Sequence, residues 1–146
     1  MSKTEEFLTK AEEQEIVDAI VVAEKNTSGE IRVHIEEDNT KPPVERAQEV
    51  FHFLKMDATE LKNGVLFYIC MQTKSFAIIG DKGINDLVDL NFWNSTKDHV
   101  IGKFKEGKFK EGLVSGILEA GEQLKNHFPY QDENDVNELS NEISRG

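Results

Sequence analysis

The seven residues "VLFYICM", 65 to 71, constrain the fold more than any other stretch of the chain. They are apolar throughout, rich in β-branched and aromatic side chains, and too few for a typical helix, which is the pattern of a central strand covered on both faces. Gln72-Thr73-Lys74 then leads into "SFAIIG" at 75 to 80, and so short a polar link predicts a hairpin with an antiparallel partner. Upstream, Ile31, Val33 and Ile35 alternate with Glu30, Arg32, His34 and Glu36, so this strand buries one face and keeps the other polar or paired. Between the two, Pro42 and Pro43 open a helix whose stripe of Val44, Ala47, Val50, Phe51 and Leu54 ends at Met56 and Asp57. A helical crossover makes those strands parallel, so the sheet is mixed.

The rest of the pattern is helical. Thr9 and Glu12 have capping-box spacing at the head of a helix over residues 9 to 25, which Asn26-Thr27-Ser28-Gly29 stops. A short helical segment over Ile84 to Leu90, a helix over Ser95 to Glu106 and a last one over Phe109 to His127, stopped by Pro129, follow the third strand. Gly112, Gly116 and Ala120 lie four apart on the last helix and leave a groove for close packing against the sheet. A length of 146 residues fits one domain, placed at residues 1 to 129, followed by an acidic, largely flexible tail over 130 to 146.

This topology brings three strand ends to one edge: Ser28, Gly29 and Glu30, then Asn63 and Gly64, then Gly80 and Asp81. The loop with Asp57, Thr59 and Glu60 enters that edge, and Asn85, Asp86 and Asp89 leave it. Carboxylate, amide and hydroxyl oxygens on glycine-bearing loops are the ligand set of hard cations, and clustered carboxylates repel without one. Asp81 as the cap of the following helix, with the glycines serving only the turn, is the rival reading. The opposite edge, with Glu36, Glu37, Asp38 and the 72 to 74 turn, is the second choice, since an acidic run is more often a solvated loop.

A net charge of -11 sets the chain against nucleic acid phosphates and anionic lipid, whose binding needs positive charge. With no signal-type or membrane-spanning apolar stretch, a cytoplasmic protein that does not insert into membranes is expected. Cys70 is the sole cysteine and sits within the apolar run, where a buried thiol is expected. From Asp81 the third residue is Gly83 and the twelfth is Phe92, so the segment is no EF-hand loop, and P-loop, nucleophile-elbow and zinc-protease motifs are absent. His34, His52, His99 and His127 show no metal-ligand spacing. Arg32 is read as a structural ion-pair partner of Glu30, with phosphate binding as the alternative, and Trp93 as a core residue.

Taken in order, "TSGEIRVHIE" at 27 to 36, the helix end from Phe51 to Met56, "NGVLFYI" at 63 to 69, "FAIIGDKGI" at 76 to 84, Trp93, "EGLVSGI" at 111 to 117 and "HFP" at 127 to 129 resemble the TPM domain family. That family is named for thylakoid, photosystem-repair and receptor-modulating members. The resemblance implies an α/β, Rossmann-like three-layer α/β/α sandwich with a small mixed sheet, divalent-cation binding by Ca²⁺ or Mg²⁺, and a phosphatase label. Its pattern falls on Gly29, Glu30, Arg32, Asn63, Gly64, Gly80, Asp81 and Gly83. The exported or membrane-anchored character of many relatives is not carried over.

The expected function is a cation-binding or regulatory module with divalent cations, and a second protein, as partners. Asp81, Glu30, Asp57 and Asp86 are its metal candidates; Gly29, Asn63, Gly64, Gly80 and Gly83 shape the site. The alternative is a metal-assisted phosphomonoesterase in which Arg32 and Lys82 bind phosphate. It lacks a nucleophile–base pair.

Overall fold

The computed structural model describes residues 8–38, 40–89, 91–129 and 141–145. In chain order these form α1 (Lys10–Glu24), β1 (Glu30–Glu36), α2 (Pro43–Phe53), a 3-10 turn (Met56–Ala58), β2 (Gly64–Cys70) and β3 (Ser75–Gly80). They continue with α3 (Lys82–Asn85), α4 (Asn94–Lys105), α5 (Phe109–Lys125) and β4 (Ser144–Arg145). The sheet runs β3-β2-β1-β4, with β1 parallel to β2 and to β4 and antiparallel pairing between β2 and β3.

The apolar run behaves as its composition requires. Val65, Phe67 and Ile69 enter a large core with Ile16 and Ile20 of α1, Val100 and Phe104 of α4, and Leu113 and Ile117 of α5. Leu66, Tyr68 and Cys70 point to the opposite side, against Ala47, Val50 and Phe51 of α2. The result is an α/β/α sandwich, and full burial of each large β2 side chain stabilises it by about 1.5–3 kcal/mol. Trp93 packs partly buried against the large core, edge-on to Phe92.

Thr9 and Glu12 form the capping box at the head of α1, each side chain accepting from the other's backbone N–H. Gly116 is a close-approach site, though its neighbour is mainly α4 rather than the sheet: an added Cβ would lie 2.5 Å from Val100 Cγ2 and 3.3 Å from Phe67 Cε2.

Three features differ from the sequence reading. Helix α3 begins at Lys82, because Asp81 caps it, and ends at Asn85; Leu90 lies outside the described residues. The polar face of β1 is buried, with Glu30, His34 and Glu36 each 4 % exposed. Of the tail, residues 130–140 and 146 lie outside the described residues, while Ser144 and Arg145 extend the sheet beside β1. Among the described residues no helix is long and apolar enough to cross a membrane.

Candidate functional site

Pairing of Glu30 with Gly64 and of Val65 with Gly80 brings the three strand ends to one edge. Backbone hydrogen bonds fix them: Glu30 N–H donates to the Asn63 carbonyl at 3.2 Å, and Asp81 N–H donates to the Gly64 carbonyl at 2.9 Å. The Asn63 side-chain amide donates to the Ser28 carbonyl at 3.1 Å, and Gly29 N–H to Thr27 Oγ1 at 3.1 Å. Gly83 carries the tightest approach, since a Cβ there would run into the carbonyl oxygens of Leu61 and Lys62. The 59–63 loop therefore lies directly against the first turn of α3.

The two oxygens of Asp81 differ. Oδ1 accepts the Lys82 N–H at 2.7 Å, while Ile84 and Asn85 N–H donate to the Asp81 carbonyl at 3.0 Å. Oδ2 is buried and has no hydrogen-bond partner. In the loop that touches α3, Thr59 is 2 % exposed and its hydroxyl is likewise without a partner. A buried oxygen left unpaired costs about 1–3 kcal/mol, and two such atoms lie on these adjoining segments. Asp81, Gly80 and Asn85 open on a cavity of about 300 Å³ whose far wall carries Gln48 and His52 of α2. Asn85 Nδ2 donates to the Gly80 carbonyl at 2.9 Å, which directs its oxygen away from that bond.

The other candidates are dispersed around this point. Asp57, on the 3-10 turn, has Oδ2 3.2 Å from His52 Nδ1, and Asp86 is the exposed C-cap of α3. Glu30 lies on β1, with β2 between it and Asp81, and its charge acts on Glu24. The expectation that several carboxylates converge is therefore not met: among the described residues no group of three or more His, Cys, Asp and Glu is placed to hold a metal ion. Arg32 and Lys82 are also apart, with Arg32 on β1 and Lys82 beyond the end of β3, two strand spacings or about 10 Å across the sheet. Burial lowers the Arg32 pKa, Glu142 opposes that shift, and Arg32 Nε has no hydrogen-bond partner.

The TPM domain model matches residues 1–123. The chain belongs to the TPM domain family. An NMR structure of the BA42 protein from the psychrophilic bacterium Bizionia argentinensis is similar at 55 % identity and a TM-score of 0.92, covering 100 % of both chains. The solution structure of the N-terminal domain of a P. gingivalis protein shares the fold, with 18 % identity and a TM-score of 0.66 over 86 % of this chain and 82 % of that one. No curated protein matches.

At the other end of this TPM domain's parallel strands, the edge that the sequence reading ranked second, Glu36 anchors a cluster with Arg46, Tyr68 and His34. Glu36 accepts from Arg46 Nε at 3.0 and 3.1 Å, from Arg46 Nη2 and from the Tyr68 hydroxyl at 2.6 Å, and His34 Nε2 lies 3.2 Å away. Burial raises the Glu36 carboxyl, but the hydrogen bonds from Arg46, Tyr68 and His34 outweigh it and hold the pKa at about 2. Only Glu37 and Asp38 of that acidic run are solvated. Arg46 stands four residues after Pro42 on α2, and that helix-to-strand pairing was the missed signal. Both oxygens of Glu36 are engaged, so the cluster fastens α2 to the sheet.

Proposed function

We propose that this TPM domain is a divalent-cation-binding module, with a largely hydrated Mg²⁺ or Ca²⁺ held at the Asp81 edge. The observation that carries the reading is the buried, unpartnered Asp81 Oδ2, with the unpartnered Thr59 hydroxyl in the adjoining loop. One carboxylate with neutral oxygens suits a hard cation that retains several waters, and Mg²⁺ in particular binds through one or two carboxylates. Asp81 would supply the anionic ligand and Thr59 and Asn85 neutral oxygens, while the glycines keep the loops close. Capping and cation binding are then compatible, because they use different oxygens of the same carboxylate.

The test is titration of Mg²⁺ and Ca²⁺ while following backbone amides. Shifts are expected at 59–64 and 80–85 and should be lost in Asp81→Asn, which keeps the cap because asparagine caps as well as aspartate. Shifts confined to 36–38, or none at millimolar metal, would remove the site. The phosphomonoesterase alternative has no separate support, with Arg32 and Lys82 apart; metal-dependent turnover of a chromogenic phosphomonoester, abolished by Asp81→Asn, would establish it.

A further inference from the structure

Ser144 opens β4 and stands directly opposite His34 in the parallel pairing of β4 with β1. Paired residues of neighbouring strands project to the same face, and the Ser144 hydroxyl lies 2.9 Å from His34 Nδ1. On the far side of the ring, His34 Nε2 lies 3.2 Å from Glu36 Oε1. That contact is close enough for charge to act but is not aligned as a hydrogen bond, so Nε2 has no formal partner. A carboxylate with a pKa of about 2 is ionised and cannot donate. The imidazole proton therefore belongs on Nε2, and the Nδ1 lone pair faces the hydroxyl. Hydroxyl, imidazole and carboxylate stand in the order that activates a serine.

The surroundings extend this arrangement. His34 is 4 % exposed and stacks on Tyr68 with ring centroids 6.1 Å apart, which holds its plane. Arg32, two residues earlier on the same face of β1, has no hydrogen-bond partner for Nε, and its charge reaches His34. Ser144 is only half-buried and lies on the outermost strand among the described residues. A buried base under a half-exposed hydroxyl, with an unpaired guanidinium N–H beside it, exceeds what satisfying a core histidine requires.

We infer that Ser144, His34 and Glu36 serve as nucleophile, base and orienting carboxylate for acyl transfer from carboxylic esters, with the Arg32 guanidinium facing the developing oxyanion. Ser144 Oγ bonds to the ester carbonyl carbon while its proton passes to His34 Nδ1 and the C=O π pair moves onto oxygen. The tetrahedral species re-forms the carbonyl by expelling the alcohol oxygen, which takes the proton back from Nδ1. Water then repeats the sequence on the acylated Ser144, releasing the carboxylic acid and restoring the hydroxyl. Burial of His34 disfavours the imidazolium, as do the charges of Arg46 and Arg32, against the pull of Glu36. A leaving group that needs little protonation is favoured, so the substrates are esters of acidic alcohols such as phenols rather than amides. This site is at the opposite end of β1 from the Asp81 edge and does not rest on the cation reading.

The experiment follows p-nitrophenolate release from p-nitrophenyl acetate by the full chain in the presence of a chelator, and maps the acetyl group by mass spectrometry. Release should fall about a hundredfold in Ser144→Ala and in His34→Gln, and the acetyl group should sit on Ser144. Ser144→Cys should take the acetyl group at that position and not at Cys70. Glu36 acts through His34, so Glu36→Gln should move the acid limb of the kcat/KM profile to lower pH, because the imidazolium loses its anionic partner. Release by Ser144→Ala equal to the parent's, acetyl on lysines alone, or an unmoved limb in folded Glu36→Gln overturns the inference. Should His34→Gln or Glu36→Gln fail to fold, the two Ser144 variants decide it.

Discussion

Glu36 and Asp81 are two carboxylates at opposite ends of the sheet, and their surroundings assign them different work. The four donor groups at Glu36 are themselves buried or half-buried, so replacing the carboxylate strands all of them. Glu36→Gln is expected to cost about 3 kcal/mol, the range for breaking a buried pair. Tyr68→Phe leaves the Arg46 contacts in place and removes one hydroxyl donor, for about 1–2 kcal/mol. Denaturant unfolding of both variants checks the order, and a Tyr68→Phe loss equal to that of Glu36→Gln would deny Glu36 its role as hub. The place of Asp81 at the strand edge and its helix cap were legible because its neighbours in sequence are glycines and a strand end. Thr59 was placed in the loop that enters that edge but not singled out, because an unpaired hydroxyl is a fact of burial rather than of composition. Glu36 was misjudged for a related reason: its partners come from α2 and β2, and only Glu37 and Asp38 behave as the acidic run suggested.

The elements were legible wherever periodicity was long enough to register. Helices α1, α2 and α5 and strands β1 to β3 each carry a repeated period or a hydrophobic run, and their order fixed which strand ends meet. Strand β4 escaped because two residues contain no period, and its pairing depends on a contact more than 100 residues away in sequence, from Ser144 to His34. The glycines of α5 were read correctly as a packing device with the wrong principal neighbour, since sequence spacing does not say which element fills a groove. Gly116→Ala tests the device. Alanine favours the helix by about 1 kcal/mol, but its Cβ would overlap Val100, and overpacking costs about 1–3 kcal/mol. The net expectation is a loss of about 1 kcal/mol, recovered in part by adding Val100→Ala. A lowered denaturation midpoint at unchanged slope, with non-additivity in the pair, is the signature.

Across the whole molecule, three buried groups on β1 and the end of α1 set the response of stability to pH. Glu24 is raised to about 7, chiefly by burial, with its hydrogen bond to Ile31 N–H lowering it and the Glu30 charge raising it. A carboxyl whose folded pKa lies above its unfolded one contributes stability that is present below about 4.5 and is lost as pH rises through about 7. His34 is lowered by burial, against the opposing pull of Glu36, so its contribution is present above 6.5 and falls away on acidification. Glu36, at about 2, contributes above 4.5 and loses that contribution as pH falls toward 2. Between pH 6.5 and 4.5 Glu24 and His34 act in opposite senses. Stability should therefore rise on going from pH 8 to 6.5, flatten, and drop steeply below 4.5. Glu24→Gln keeps an oxygen for Ile31 N–H and removes the buried charge. It should stabilise the protein at pH 8 by on the order of 2 kcal/mol and be near neutral at pH 5, erasing the rise while leaving the acid limb intact. Urea midpoints at pH 8, 6.5, 5 and 3 decide it: equal effects of Glu24→Gln at pH 8 and 5 would mean that the Glu24 carboxyl does not titrate with a raised pKa in the native state.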